Sequence, residues 1–582
     1  MLHFLLHALK AVWRERIALF WPFWLATTVA GAMLLVWVIP KRESLPLDST
    51  PSTRNDWSRS ALLSVAFLAV FLACYIVGTL VWEDFAYYDN SMFTMQTLIG
   101  HNFDPGIWPD QGRFFPLGHQ EYNVLRHFTH SVVGYHSFRI LVLVLLTAIL
   151  LVLDEQLSIA QRVALATLLL ITPGIVTSFC GLIYPESNVI FWVACLVWSV
   201  KRFEQTHSIT WAVAAMISAQ FMLYYKETVP ALLLGFTIGR LILRCWKVSE
   251  PGWDLGRLRD PESRLDMCLA FLVAPFFLFY LAAMYPNFRT HYADTFRLPL
   301  GQVLISYLKL DLAACTLVAV VSVRIILIFM RKVTPSLLWD GMALGGVGYF
   351  AGYLYLHMYA AYYLAPADLL AVLYLGHLVF LSMSRLGTAA KVGVLVLLSL
   401  IVLQDLSLSA FRIYERKNVI HARVEMGRAI KARYDSGQQN VRLFFPAARP
   451  YWIMEFAAYL NYHGVPMDGL EENSRATRKV QIAGRTVLEN GRCVQYMGFI
   501  CHVGTTPDSG DLVVSLPEDF TYPPELAASA PGSGETLVSY SPYPAIPAWL
   551  RPYVNRLHVV SPTFPFTPLP DRWLDASVTV WK

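Results

Sequence analysis

Charged residues are scarce in this chain of 582 residues. Asp, Glu, Lys and Arg together make up 15% of it, whereas an ordinary soluble domain has about 25%. The net charge is only +5, and no stripe of Lys and Arg interleaved with aromatic residues occurs, which argues against nucleic acid as a partner. The shortage of charge, with 56% hydrophobic residues, excludes a soluble globular protein and predicts a membrane protein.

Cysteine and histidine patterns typical of metal sites are also missing. Six of the eight cysteines lie in or beside apolar runs, where a free Cys is usually a small core residue. Cys493 and Cys501 lie in a polar region and would either pair in an oxidising compartment or stay free. His127 and His130 are close in sequence to His119 and His136, but histidines near a membrane interface are more often ordinary polar contacts, so we predict no histidine metal site.

Long apolar runs dominate the first two thirds of the chain. Four runs, 17–39, 61–82, 267–284 and 313–330, approach the roughly 20 residues that a spanning helix needs. Eight shorter runs raise the predicted number of transmembrane helices to about 11–13. The first run lacks a small-residue cleavage site and is interpreted as a retained helix. We therefore predict a polytopic α-helical membrane protein.

The distribution of Lys and Arg predicts the orientation, because short cytoplasmic loops carry the excess. By this rule the loops 83–137, 179–188 and 225–228 lie outside, together with the C-terminal region. The expected location is the bacterial inner membrane, with these loops in the periplasm. The basic residues before the first run disagree with this orientation. Either the N-terminus lies outside despite them, or residues 1–39 include an interfacial helix.

The composition changes after residue 405, which predicts two domains, 1–405 and 406–582. The second has no apolar run long enough to span a membrane. Its pattern predicts a helix over 411–434, a strand over 441–445 and a helix over 451–462 that ends at Gly464. Further strands are predicted over 480–487, 493–503 and 511–515. These elements indicate a small periplasmic α/β domain. The absence of an internal repeat weakens a transporter interpretation.

An acidic cluster opens the first external loop. Glu83, Asp84 and Asp89 follow the run 61–82 directly, with Tyr87 and Tyr88 between them. A carboxylate at a membrane boundary can act as a general base or bind a divalent cation, because desolvation and neighbouring charge shift its pKa. The alternative is that these residues only cap a following helix. Three carboxylates so close together favour a chemical role.

Three further charged residues lie where membrane runs begin or end. Glu186 starts one run, and Lys226 with Glu227 separates two others with almost no loop between them. Charges at such positions are costly and are functional candidates, with an anionic lipid phosphate as the natural partner of Lys226. The alternative is that Lys226 and Glu227 only extend to the interface.

The loop segment 112–123 mixes aromatic residues with hydrogen-bonding groups, among them Arg113, His119 and Glu121. This composition suits stacking on sugar rings and contact with hydroxyl groups. It equally suits an aromatic belt at the membrane surface. Both interpretations stay open.

The order of these segments resembles the GT-C glycosyltransferases, in particular the branch with protein O-mannosyltransferases and the lipid A aminoarabinose transferase. The similarity covers roughly residues 61–405. It consists of an acidic pair that closes a membrane helix, an acidic residue that starts a later span, and a Lys followed by an apolar run. The segment Tyr362-Tyr363-Leu364-Ala365-Pro366 also resembles the Arg-Tyr-Leu-x-Pro stretch of that branch.

The resemblance implies a role for each matching residue. Asp84, or its neighbour Glu83, would be the catalytic carboxylate, and Glu186 the second acidic position of the site. Lys226 would contact the polyprenyl phosphate of the donor. Where the family usually has Arg, this chain has Tyr362 or Ala361, so the second phosphate contact would come from another cation: His357, Arg113 or Arg289.

The implied activity is transfer of a sugar from a polyprenyl-phosphate donor to a periplasmic glycan, lipid or protein, with inversion at the anomeric carbon. Glu227, Tyr87, Tyr88, His119, Glu121 and Tyr362 would complete the substrate site. These residues indicate no certain cofactor, and Asp89 offers a ligand for a divalent cation, Mg²⁺ or Mn²⁺, whose requirement stays open. An O-antigen or capsule polymerase and a transporter or flippase of lipid-linked sugars are the alternatives.

Overall fold

The structure is a computed structural model with side chains. In the membrane part it describes residues 2–39, 59–80, 102–109, 112–246, 252–285, 298–383 and 386–436. In the C-terminal part it describes residues 443–445, 450–465, 478–482, 485–489, 493–496, 499–503, 509–516, 534–540, 549 and 576–581.

The described membrane part is almost entirely helical. Its helices, in chain order, are α1 (Leu2–Val38), α2 (Arg59–Leu80), α3 (Gln120–Leu125), α4 (Val132–Leu153), α5 (Ile159–Leu170), α6 (Pro173–Cys180), α7 (Glu186–Thr206), α8 (Ile209–Tyr225), α9 (Val229–Cys245), α10 (Pro261–Phe271), α11 (Val273–Met284), α12 (Leu300–Leu310), α13 (Leu312–Phe329), α14 (Leu337–Leu356), α15 (Ala365–Ser382) and α16 (Thr388–Asp435). A short hairpin of β1 (Gly106–Trp108) and β2 (Arg113–Phe115) precedes α3.

Seven of the described helical segments are long and apolar enough to cross a membrane, or up to eight if the bent pair of α5 and α6 is one span. The prediction of a helical membrane protein is therefore confirmed. The predicted number of 11–13 spans is higher, partly because it includes runs such as the one in α8, which is apolar but only 17 residues long. That larger number stays a prediction.

Sequence signals for helix ends explain several boundaries. Ser158 and Gln161 form a reciprocal capping box at the start of α5, which satisfies backbone N–H groups that have no partner within the helix. Ser131 caps α4 through the backbone N–H of Val133. Proline occupies the first turn of α6, α9, α10 and α15, where its missing N–H costs nothing.

Buried charges gather at the two ends of the helices around α9. At its N-terminal end, Lys226 contacts Glu186, and at its C-terminal end, Arg240 contacts both Asp266 and Glu204. The 17 residues of α9 extend over about 25 Å at 1.5 Å per residue, close to the thickness of a hydrocarbon layer. The two groups of buried charges thus lie at opposite ends of α9.

Glycines allow α9 and α14 to pack closely. A Cβ atom on Gly235 would lie 2.6 Å from the carbonyl oxygen of Leu344, and one on Gly348 would lie 2.5 Å from the carbonyl oxygen of Ala231. Small residues that let helix backbones approach each other are typical of membrane helix pairs. This contact places the C-terminal half of α14, which carries Tyr349 and Tyr353, beside the start of α9.

We expect Gly235→Ala to destabilise the protein by about 1–3 kcal/mol, because overpacking a tight interface forces backbone shifts. Gly352→Ala in the same interface is the matched control, since its new Cβ would meet Ala231 only at an ordinary 3.8 Å. Unfolding of both variants in detergent would measure the difference. Equal stabilities would contradict close backbone packing of α9 on α14.

The C-terminal part continues directly from the membrane part. Helix α16 runs for 48 residues without interruption, so the predicted domain boundary at residues 405 and 406 lies inside a helix. The predicted helix over 411–434 is the second half of α16. This half packs in a separate hydrophobic core, which includes Val419, Met426, Phe456 and Val578.

Among its described residues, the C-terminal part contains α17 (Pro450–Tyr462) and eight strands in one mixed sheet. The strands are β3 (Leu443–Phe445), β4 (Arg478–Ile482), β5 (Arg485–Glu489), β6 (Cys493–Tyr496), β7 (Phe499–Val503), β8 (Leu512–Ser515), β9 (Glu535–Tyr540) and β10 (Ala576–Val580). Their order in the sheet is β4-β5-β6-β7-β3-β8-β10-β9. Strand β3 is parallel to β7 and β8, and the other pairs are antiparallel.

Two segments that were predicted to be single strands each contain residues of two strands, so these two predictions are wrong. The segment 480–487 lies in the hairpin of β4 and β5, and 493–503 forms the hairpin of β6 and β7. Periodicity alone does not mark the break between the two strands of each segment. In the second hairpin Cys493 is opposite His502 and Cys501 is opposite Val494. The helix over 451–462 and its end at Gly464, whose φ is +83°, agree with α17.

The C-terminal part contacts the membrane part near the end where Lys226 lies. The hydroxyl group of Ser409 in α16 donates a hydrogen bond to the carbonyl oxygen of Ile171 (2.7 Å). Tyr462, at the end of α17, packs against a small cluster of Tyr122, Tyr135 and Leu182. The C-terminal part and the N-terminal end of α9 therefore lie on the same side of the helices.

Candidate functional site

The helical break between α8 and α9 carries a buried ion pair. Lys226 has an extended backbone and ends α8. Its Nζ atom lies 2.6 Å from Oε1 of Glu186, the first residue of α7, and the two side chains are 5% and 0% exposed. Such a pair needs a close partner for each charge, because an isolated charge in this environment would be strongly unfavourable.

A second ion pair lies beside the first and is more accessible. Nε of Arg113 in β2 is 3.1 Å from Oε1 of Glu227, and these side chains are 14% and 21% exposed. The backbone N–H of Leu117 donates to the carbonyl oxygen of Tyr224 (3.0 Å), which attaches the hairpin loop to the end of α8. The loop and the helix break thus form one structural unit.

Tyrosines surround the two ion pairs. The Nζ atom of Lys226 lies 5.1 Å from the centre of the Tyr363 ring, within the range of a cation–π contact. Tyr363 stacks on Tyr353 at 4.8 Å between ring centres, and Tyr362 packs against both Tyr363 and Tyr184. Thr228 donates a hydrogen bond to the Tyr353 hydroxyl group (3.3 Å). Aromatic side chains therefore form a wall beside the charges.

Several of these groups line one small, partly open pocket. Its lining comprises Gly112, Arg113, Lys226, Glu227, Thr228, Tyr280, Tyr353, Leu356, Met358 and Tyr363. Cations, a carboxylate, hydroxyl groups and aromatic rings thus face the same space. This combination suits a ligand that joins an anionic group to hydroxyl groups or an apolar chain.

A buried arginine, which the sequence analysis did not single out, supports the site. Arg139 in α4 contacts Oε1 of Glu121 (3.3 Å) and the carbonyl oxygen of Leu182 (2.8 Å), and it also donates to the hydroxyl group of Ser187. The amide of Asn188 donates to the same Oε1 of Glu121 (2.6 Å). Arg139 thereby connects the loop to the first turn of α7. Glu186 is the first residue of that helix. The position of Arg139 at the start of an apolar run was the available signal.

Burial shifts the pKa values of two side chains in this loop, Glu121 and His119. Desolvation raises the pKa of Glu121, and the positive charge of Arg139 opposes that shift. Desolvation also lowers the pKa of His119 to about 3, and three cations act in the same direction: Arg139, Arg113 and Lys226. His119 has a left-handed backbone with φ of 68° and packs between the rings of Phe103 and Phe115. It is therefore a neutral packing residue.

His119 should make the folded state sensitive to acid. The unfolded chain binds a proton near pH 6.5 and the folded chain only near pH 3, so stability falls as the pH drops below 6.5. At pH 5 the loss from this residue is about 2 kcal/mol. We expect His119→Asn, which tolerates the left-handed backbone, to remove that loss in unfolding titrations.

The exposed His127 of the same loop provides the control, because His127→Asn removes an imidazole from this loop without removing a buried group. If His119→Asn and the unmodified protein lost the same stability between pH 7.5 and pH 5, His119 would not be a buried, neutral side chain.

The structure brings together several of the residues that the sequence analysis identified. Arg113, Lys226 and Glu227 line the pocket, Glu186 lies directly behind it, and Tyr362 is part of the aromatic wall. His119 and Glu121 lie in the adjoining loop. Lys226 and Glu227 do not pair with each other, because each has a partner from another element.

The remaining predicted residues lie elsewhere or outside the described part. His357 follows the pocket-lining Leu356, and its Nδ1 atom contacts the carbonyl oxygen of Leu298 (3.0 Å). Glu83, Asp84, Tyr87, Tyr88, Asp89 and Arg289 lie outside the described residues. Within the described part, no group of three or more His, Cys, Asp and Glu side chains could hold a metal ion.

The described fold is that of a helical membrane protein with a charged, aromatic-lined pocket at one end of its helices. No protein-family model matches this chain, and neither the curated proteins nor the solved structures include a significant match to it.

Proposed function

We propose that this protein is a membrane glycosyltransferase that moves a sugar from a polyprenyl-phosphate donor to a periplasmic glycan, lipid or protein. The observation that carries the proposal is the pocket with Lys226 and Arg113 beside stacked tyrosines at a helix end. An anionic phosphate at a membrane boundary needs cations at that depth. The resemblance to GT-C enzymes supplies the reaction class.

In this proposal Lys226 binds the phosphate of the donor, and Glu186 holds Lys226 in place. Arg113 provides the second cation that Tyr362 cannot supply. The tyrosine wall receives the first part of the polyprenyl chain or the face of the sugar ring, since aromatic faces suit both. Asp84, with Glu83 as the alternative, is the proposed catalytic carboxylate, and both residues follow α2 in the sequence.

The proposed reaction is a direct displacement. The acceptor oxygen forms a bond to the anomeric carbon, and its proton passes to the Asp84 carboxylate. The bond between the anomeric carbon and the phosphate oxygen breaks, and its electron pair stays on that oxygen. The leaving polyprenyl phosphate therefore gains one negative charge. Cations placed to stabilise this developing charge would lower the barrier.

The test is incubation of purified protein with candidate polyprenyl-phosphate sugars, followed by quantification of released polyprenyl phosphate. We expect release from at least one donor in the presence of an acceptor. A protein that neither binds nor cleaves any of these donors would disprove the glycosyltransferase proposal. Movement of the intact donor across the membrane of a vesicle, without cleavage, would instead favour the alternative of a lipid-linked sugar transporter.

The proposed orientation has a separate test. Since the C-terminal part lies on the same side as the pocket, a reporter that is active only in the periplasm should be active when it is fused after Lys582. A fusion with a reporter that is active only in the cytoplasm is the matched control. Activity of the cytoplasmic reporter would place the pocket inside the cell and contradict a periplasmic acceptor.

A further inference from the structure

Both cations of the pocket are paired with carboxylates, but the two pairs differ in how easily they can separate. Glu186 is fully buried and does not line the pocket, so its contact with Lys226 has no solvent to replace it. Glu227 lines the pocket together with Arg113, and both side chains retain some solvent exposure. Separating Arg113 from Glu227 therefore costs much less free energy than separating Lys226 from Glu186.

The second carboxylate oxygen of Glu227 adds little that would hold its side chain in place. Oε2 is buried and has no hydrogen-bond partner among the described residues. The carboxylate is therefore held mainly through the Oε1 contact with Arg113. A ligand oxygen that replaced it on Arg113 would leave Glu227 free to turn toward the open side of the pocket.

We infer that Glu227 is a charge-selective competitor that occupies Arg113 until a doubly charged phosphate displaces it. This inference rests on the proposed function and adds a regulatory role to the same pocket. A donor phosphodiester carries one negative charge, the same as the Glu227 carboxylate, and gains little by replacing it. A phosphate monoester carries nearly two charges above pH 7 and competes more strongly for Arg113.

The negative charge that develops on the donor phosphate during the reaction is what would draw Arg113 away from Glu227. In the donor complex Lys226 contacts the phosphate while Arg113 stays with Glu227. As the bond to the anomeric carbon breaks, the phosphate gains its second charge, and Arg113 moves from Glu227 to the new phosphate oxygen. An interaction that forms only with the developing charge stabilises the transition state more than the bound donor.

The test compares two lipids that differ only in charge: a short polyprenyl phosphate and its methyl phosphodiester. Their binding to the purified full-length protein at pH 8 would be measured for the unmodified chain, Glu227→Gln, Arg113→Gln and the double variant. We expect the unmodified protein to prefer the monoester by about tenfold, which corresponds to about 1.4 kcal/mol. Glu227→Gln should tighten binding of the phosphodiester most and reduce the preference to about twofold.

The Arg113 variants provide the matched control. Arg113→Gln should weaken binding of the monoester, and adding Glu227→Gln to it should change neither affinity, because Glu227 acts only through Arg113. If the lipids bind but Glu227→Gln leaves the preference unchanged, or tightens binding equally without Arg113, the inference is wrong and the proposed function stands. If no variant binds either lipid, the inference and the proposed function are both wrong.

Discussion

Lys226→Met should reduce turnover by on the order of 100-fold or more, because it removes the cation that is proposed to hold the donor phosphate. It should also destabilise the folded protein by about 3–5 kcal/mol, since the fully buried Glu186 would lose its only ion-pair partner among the described residues. Release of polyprenyl phosphate and unfolding in detergent would measure the two effects separately.

A double variant distinguishes phosphate binding from a structural role. Lys226→Met combined with Glu186→Gln replaces the buried pair by neutral groups, so most of the lost stability should return. Turnover should stay low, because no charge at this position contacts the phosphate. Full recovery of turnover in the double variant would mean that Lys226 serves only to neutralise Glu186.

Asp84→Asn should lower turnover by about 10²–10⁴-fold while leaving stability and donor binding close to those of the unmodified protein. The amide keeps the shape of the side chain but cannot accept the proton of the acceptor. The rate of product formation at saturating donor, together with donor affinity, would measure the effect.

Glu83→Gln is the matched control for Asp84→Asn, because it changes the neighbouring carboxylate in the same way. A large loss with Glu83→Gln alone would transfer the catalytic role to Glu83. Near-normal turnover in both variants would contradict general-base catalysis by this acidic pair.

The charged residues of the pocket could be predicted individually, but their pairing could not. Lys226 and Glu186 were both recognisable from their positions at the ends of apolar runs. Their contact depends on how α7 and α8 are rotated around their axes, which a sequence of nearly uniform hydrophobicity does not determine. The partner of Lys226 was expected to be a lipid phosphate, and the structure adds Glu186 at 2.6 Å.

The sequence also does not determine two other contacts of the site, because they too depend on how the helices pack. Arg139 lies at the edge of an apolar run, where one arginine gives no indication that it joins the loop at Glu121 to the start of α7. The contact between Tyr353 and Tyr363 depends on the turn between α14 and α15. By contrast, α17 and its end at Gly464 follow from local signals, an amphipathic repeat and a residue that tolerates positive φ.

The most direct measurement is an experimental structure of the protein in a lipid nanodisc with bound polyprenyl phosphate. We expect the phosphate to lie in the pocket within hydrogen-bond distance of Lys226 and Arg113, with Glu227 turned away from Arg113 and the lipid chain along the tyrosine wall. A phosphate bound elsewhere on the protein, with the Arg113–Glu227 pair intact, would contradict the assignment of this pocket as the donor site.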